Sequence, residues 1–158
     1  MSDTDSIFNA DTFLAQEHDE VLDTVVVPIP VGEFVAHITK LTPKLNQASK
    51  KDPTSVYHFL DVEWEIDDEE VKAKLGRDTV KVKQSLLLDI NEANKLDSGK
   101  GKNVPLGQLR AACNQNSPGQ KFAFGNLLHQ VCLIRTKQRQ DPNSDQIFTE
   151  VKSVAAMS

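Results

Sequence analysis

Apolar and polar residues alternate most clearly between Val56 and Ile66. Val56, His58, Leu60, Val62, Trp64 and Ile66 fall on one face of an extended chain, and Tyr57, Phe59, Asp61, Glu63 and Glu65 on the other. A second alternating run, 79–90, sets Val80, Val82, Leu86, Leu88 and Ile90 against Thr79, Lys81, Lys83 and Ser85. Shorter patterns predict strands at 33–41, 130–139 and 147–154, the last two joined by the turn-forming Asp141-Pro142-Asn143-Ser144-Asp145. The lysine-rich segment 42–55, which contains Pro53, reads as a long loop.

Two stretches follow a helical period instead. Residues 67–76 carry acids in the first turn, lysines near the end and Gly76 at the close, the charge order a short surface helix prefers. In 104–114, Leu106, Leu109, Ala112 and Cys113 gather on one helical face, which predicts a packed helix, and 122–129 holds room for a further turn. The predicted order is three strands, a helix and two strands. That is the order of a mainly β, five-stranded OB-like (oligonucleotide/oligosaccharide-binding) barrel with a helix between strands 3 and 4 and an additional short surface helix. An open five-stranded α+β sheet has the same string of elements and is the alternative.

At 158 residues the chain suits one domain and a tail. The net charge of -5 argues against a polyanionic partner only until its distribution is read. Seven acids and no Lys or Arg precede Thr24, whereas the rest of the chain has a balance of +2, and of +9 outside the acidic run 61–70. Residues 1–27 are therefore expected to be an acidic flexible tail, in which Ile7, Phe8, Phe13 and Leu14 are the residues able to dock, and 28–158 the folded domain. No apolar run reaches the roughly 18 residues a membrane span needs. The N-terminus lacks the basic start and apolar stretch of a secretion signal, so a cytoplasmic location and no membrane partner are expected.

The chemistry available is narrow. Cys113 and Cys132 have no second Cys or His at ligand spacing, and His18, His37, His58 and His129 form no H-E-x-x-H or similar signature, so neither metal nor cofactor is expected. The acids 61–70 lack a glycine turn or a histidine to complete a cage. Residues 98–103 lack the spacing of a phosphate-binding loop, and no G-x-S-x-G occurs. No catalytic group is therefore assigned. An enzyme would need a site assembled in space, with Asp61 and Glu63 as its metal-binding candidates.

Binding chemistry is more coherent. Single-stranded nucleic acid needs cations along the phosphates and aromatic faces for the bases. Tyr57 and Phe59 on the second strand, and Lys81 and Lys83 on the third, all oppose the apolar series ending in Trp64 and Ile90. If that series faces the core, rings and ammonium groups meet on the outer surface. Arg135, Lys137 and Arg139 recur at alternate positions of the fourth strand, a row about 14 Å long at roughly 3.4 Å per residue. Lys44, Lys50, Lys51, Lys100 and Lys102 are expected in loops beside that surface.

The runs 31–38, 64–77, 96–107 and 148–152 resemble small bacteriophage proteins of the replication and recombination cluster, a group similar to OB-fold single-stranded DNA-binding proteins. The resemblance covers 31–154 and rests on patterns of length and turn. It implies coating of single-stranded DNA without chemistry, in phage replication or recombination and in the host cytoplasm. Such proteins often carry an acidic tail at the C-terminus; here it stands at the N-terminus, where it offers a contact for phage or host replication and recombination proteins. The expected activity is sequence-tolerant binding of single-stranded DNA. The alternative is an interaction or structural component of a phage assembly that makes contact through its acidic surfaces.

Overall fold

The computed structural model describes residues 9–24, 26–52 and 54–157. Expectations for Ile7, Phe8, Pro53 and the first acids of the tail lie outside the described residues. β1 (Glu33–Ala48), β2 (Val56–Ile66), β3 (Lys81–Leu88), β4 (Val131–Gln140) and β5 (Ile147–Ala155) form one sheet. It closes on itself in the order β1-β2-β3-β5-β4. Every join is antiparallel except that of β3 with β5, which is parallel and registers through Lys83 and Glu150.

β1 is longer than its sequence pattern. The segment expected as a loop from residue 42 continues as strand to Ala48, paired with β2 throughout. Two register shifts hide the period of two, one between Ile38 and Lys40 and one between Lys44 and Gln47. At the second, Asn46 adopts φ 58°, a left-handed conformation Asn tolerates better than most residues, and its N–H donates to His58 Nδ1 at 3.0 Å. Pairing of β1 with β4 spans only Glu33 to His37. Ile38 still donates to Gln130 O and accepts from the His129 N–H, and after it β1 is an edge strand, a setting that tolerates Pro43.

The alternating apolar series of β2 does face inward: Val62, Trp64 and Ile66 are fully buried and Leu60 nearly so. Trp64 fills the interior and donates its indole N–H to Gln84 Oε1 at 3.0 Å, so its one polar atom is satisfied. Ala36 and Ile38 of β1, Val82, Leu86 and Leu88 of β3, and Cys132 and Ile134 of β4 complete the lining. Val56, at the start of the series, is exposed, because the β1–β2 hairpin runs past the end of the core.

Helices cover the ends and the seam. α1 (Ala10–Leu14) lies in the acidic segment with its N-terminus capped by the Asn9 side chain, and none of its residues is buried. The expectation of a flexible tail did not foresee it, although residues 9–24 are exposed throughout. α2 (Glu69–Leu75) is capped by Asp68, whose carboxylate accepts from the Val71 N–H at 3.1 Å. It ends at Gly76, where φ 64° suits a residue without Cβ. α3 (Val104–Ala112) buries Leu106, Leu109 and Ala112 and packs on β3 and β5 across their short parallel join. A 3₁₀ turn, Phe124–Leu127, then buries Leu127. Among the described residues no helix is long and apolar enough to cross a membrane.

The chain enters the sheet through a strap. Ile29 is buried, and its carbonyl accepts from Gln138 Nε2 at 2.9 Å and from Thr149 Oγ1 at 2.8 Å. Thr136, the one buried polar residue among those described, donates its hydroxyl to Pro30 O at 2.8 Å and accepts from the Gly32 N–H at 3.0 Å. Arg77 holds Val27 O at 3.0 Å. The strap thus ties residues 27–32 to β4, β5 and the loop after α2.

Candidate nucleic-acid interface

Strand parity places the sequence-predicted rings and cations of β2 and β3 on the outer face. Tyr57 is 43% exposed and Phe59 is half-buried, while Lys81 and Lys83 are exposed. Register then decides which side chains are neighbours. Phe59 stands between Lys44 of β1 and Leu87 of β3, and Tyr57 opposite Gln47, so one end of the face carries Tyr57, Phe59 and Leu87. Leu87, 43% exposed, extends the aromatic pair into an apolar platform.

Toward the other end an open groove of about 530 Å³ is lined by Lys44, Asp61, Lys81, Lys83, Arg139 and Phe148 among others. Phe148 was absent from the sequence-predicted set. It is 42% exposed, and the Arg139 guanidinium lies over its ring, 5.4 Å from the centroid. The signal for it was the alternation of β5, which sends Phe148, Glu150 and Lys152 opposite to Thr149 and Val151.

The cations of the face do not stand alone. Lys40, Glu63, Lys83, Glu150 and Lys137 lie opposite one another from β1 through β2, β3 and β5 to β4, a transverse row in which charge alternates at every strand. Lys44 Nζ is 2.7 Å from Asp61 Oδ2, Lys81 Nζ 3.3 Å from Glu63 Oε1, and Arg139 Nε 2.6 Å from Glu150 Oε1. Along the sequence Asp61, Glu63 and Glu65 share the strand face of Tyr57 and Phe59 with no cation between them. The fold instead interleaves Asp61 and Glu63 with lysines. Partial burial raises the Asp61 pKa, but hydrogen bonds from Lys44 and Ser85 and the charges of Lys44 and Lys83 outweigh it, holding the carboxyl below its ordinary value. For Glu63 the Thr39 hydroxyl is the main cause of a lowered pKa, reinforced by Lys81 and Lys40 against desolvation.

The remaining predicted cations divide. Lys137 belongs to the alternating row. Arg135, in the middle of β4, is bonded to Glu33 Oε2 at 3.1 Å, so the expected three-residue track is shared between two surroundings. Lys44 lies on β1, not in a loop, and Lys50 and Lys51 sit at the tip of the β1–β2 hairpin, whose turn is tied by Asp52 to Thr54 and Ser55. Lys100 and Lys102 belong to the loop from β3 to α3. That loop is clasped by Asp89 and Asn103, whose N–H groups each donate to the other's side chain at 2.8 Å. Because His58 pairs with Leu88, the hairpin tip and this loop leave the same end of the β2–β3 ribbon, the end bearing Tyr57.

One further cluster was illegible in the sequence. His37 of β1 faces Glu65 of β2, its Nδ1 2.8 Å from Asp67 Oδ2 and its Nε2 4.0 Å from Glu65 Oε2. The acidic run therefore does have a histidine beside it, with one ligand atom from each of the three residues inside a 4.8 Å span. These are donor types a divalent cation accepts. In the structure the imidazole stands between the two carboxylates, its nearest approach to each made through a different ring nitrogen.

No protein-family model matches the chain, and no curated protein matches it as a relative. Function must therefore be argued from the face itself.

Proposed function

We propose that the protein binds single-stranded DNA without sequence preference, through the outer face of an OB-fold barrel, and performs no chemistry on it. The reading rests on one observation: Tyr57, Phe59 and Phe148 share a sheet face with Lys44, Lys81, Lys83, Lys137 and Arg139. Splayed bases can stack on the rings while phosphates meet the cations, a pairing that duplex DNA, with its bases stacked inside, cannot use. The OB assignment is supported by the closed order β1-β2-β3-β5-β4, the parallel β3–β5 join and the helix between β3 and β4. On this reading Lys50, Lys51, Lys100 and Lys102 flank the aromatic end of the face, and the resemblance to phage proteins gives the setting, replication or recombination in the host cytoplasm. The exposed acidic segment is the proposed contact for partner proteins.

A fluorescence titration with oligo-dT and with duplex of the same length, at two salt concentrations, tests the proposal. Tight single-strand binding that weakens with salt, with a log-log slope of about -0.7 per phosphate neutralised, is expected. Equal affinity for duplex, or no binding at low salt, would reject it.

A further inference from the structure

Cys113 and Cys132 come together inside the molecule, remote in sequence and unused by the proposed interface. Cys113 caps the end of α3, and Cys132 lies on β4 with its side chain in the core. Both are free thiols, 7% and 0% exposed, and their Sγ atoms are 3.7 Å apart. The other polar atom near Cys132 Sγ is Ala112 O, also at 3.7 Å.

We propose that this pair is an oxidation site at which hydrogen peroxide links Cys113 to Cys132, stapling the end of α3 to β4. A disulfide needs its sulfurs about 2 Å apart, so closure asks for less than 2 Å of movement. Cys132 is held near the start of β4, paired with Ala36 of β1, whereas Cys113 stands where α3 gives way to the loop 114–121 and can supply that movement. The contact also divides the roles. The neighbouring Cys132 sulfur and burial keep Cys113 protonated, while the S–H of Cys113 lowers the Cys132 pKa against its desolvation.

The Cys132 thiolate attacks one peroxide oxygen, the O–O bond breaks, and Cys132 becomes a sulfenic acid while the other oxygen leaves as hydroxide. Cys113 sulfur then attacks the Cys132 sulfur and the S–O bond breaks. The departing hydroxide takes the Cys113 proton and leaves as water. The two thiols lose two electrons and the peroxide gains them, so no further reductant or oxidant is required.

The inference is independent of the nucleic-acid reading and is tested on the full chain. Folded protein is treated with hydrogen peroxide, free thiols are blocked with iodoacetamide under denaturing conditions, and the product is digested with trypsin without reduction. Cleavage after Arg110, Lys121 and Arg135 places the two cysteines on separate peptides, 111–121 and 122–135. A cross-linked pair of these peptides, two hydrogens lighter than their sum and separated by reductant, is expected, and is lost in Cys113→Ala. Alkylation of both cysteines after treatment, sulfinic acid as the main product, or disulfides only between molecules would each overturn the proposal.

Discussion

Lys83 and Glu150 stand opposite each other at the parallel join of the sheet, and Lys40, Glu63 and Lys137 extend them into a row whose charge changes sign at every strand. Such a row keeps long side chains ordered. Under the proposed function, a phosphate chain would compete with carboxylates for the same ammonium and guanidinium groups.

Removing one carboxylate should therefore strengthen binding. Glu150→Gln frees Arg139, now bonded at 2.6 Å, and unmasks Lys83 and Lys137. Exposed pairs of this kind are worth about 0.2–1 kcal/mol, so oligo-dT affinity at low salt is expected to rise by a factor of about 1.4 to 5. Titration of the variant beside wild type measures it, and weaker binding would show that Glu150 positions Arg139 for the ligand.

Aromatic truncation on the outer face should separate binding from stability. Tyr57→Ala and Phe148→Ala are each expected to cost about 1–3 kcal/mol of oligo-dT binding while moving the denaturant midpoint little. Trp64→Ala, on the inner face of the same ribbon as Tyr57, should instead destabilise the fold by about 3–5 kcal/mol. Urea unfolding of the three variants distinguishes the faces, and collapse of the Tyr57 variant would reverse the assignment.

Acid should loosen the barrel in a defined window. Asp61 and Glu63 have folded pKa values below their ordinary ones, so their contribution is complete above the unfolded values near 4 and fades as pH falls through the lowered folded values. Stability is expected to be flat in this respect above about pH 5 and to decline below about pH 4. In Asp61→Asn with Glu63→Gln that decline should be shallower, as followed by thermal melts from pH 6 to pH 3. An unchanged acid limb would mean that other carboxylates govern it.

Thr136→Val tests the strap. The substitution keeps the volume but deletes the hydroxyl that bonds Pro30 O and Gly32 N, leaving two backbone groups unpaired near the core. A loss of about 1–3 kcal/mol is expected. Amide exchange should quicken at Gly32 before it does so in β2.

Much of this fold was legible because β2 and β3 obey a strict period of two, and burial reads parity directly: Trp64 in, Tyr57 out. β1 was legible only as far as residue 41, since the irregularities around Thr39 and Asn46 shift its phase, and a strand free on one edge can hold Pro43. The proposed interface was legible only in part. Which way Lys81 points follows from parity, but its 3.3 Å approach to Glu63 depends on the register of two strands, which a single chain does not display. For the same reason Asp61 and Glu63 read as an acidic surface of their own, and His37 stood apart from Glu65 and Asp67. Phe148 sits in a short last strand whose meaning depends on β5 lying between β3 and β4, a sheet order different from the sequence order.

The strap also fixes where the polypeptide tolerates a break. A cut ahead of Val26 removes the acidic stretch and spares the carbonyls of Val27, Ile29 and Pro30, whereas trimming to the first residue of β1 strips Gln138, Thr149, Thr136 and Arg77 of those acceptors at once. A shortened chain beginning at Glu33 would thus report damage to the barrel as though it were a property of the missing acids.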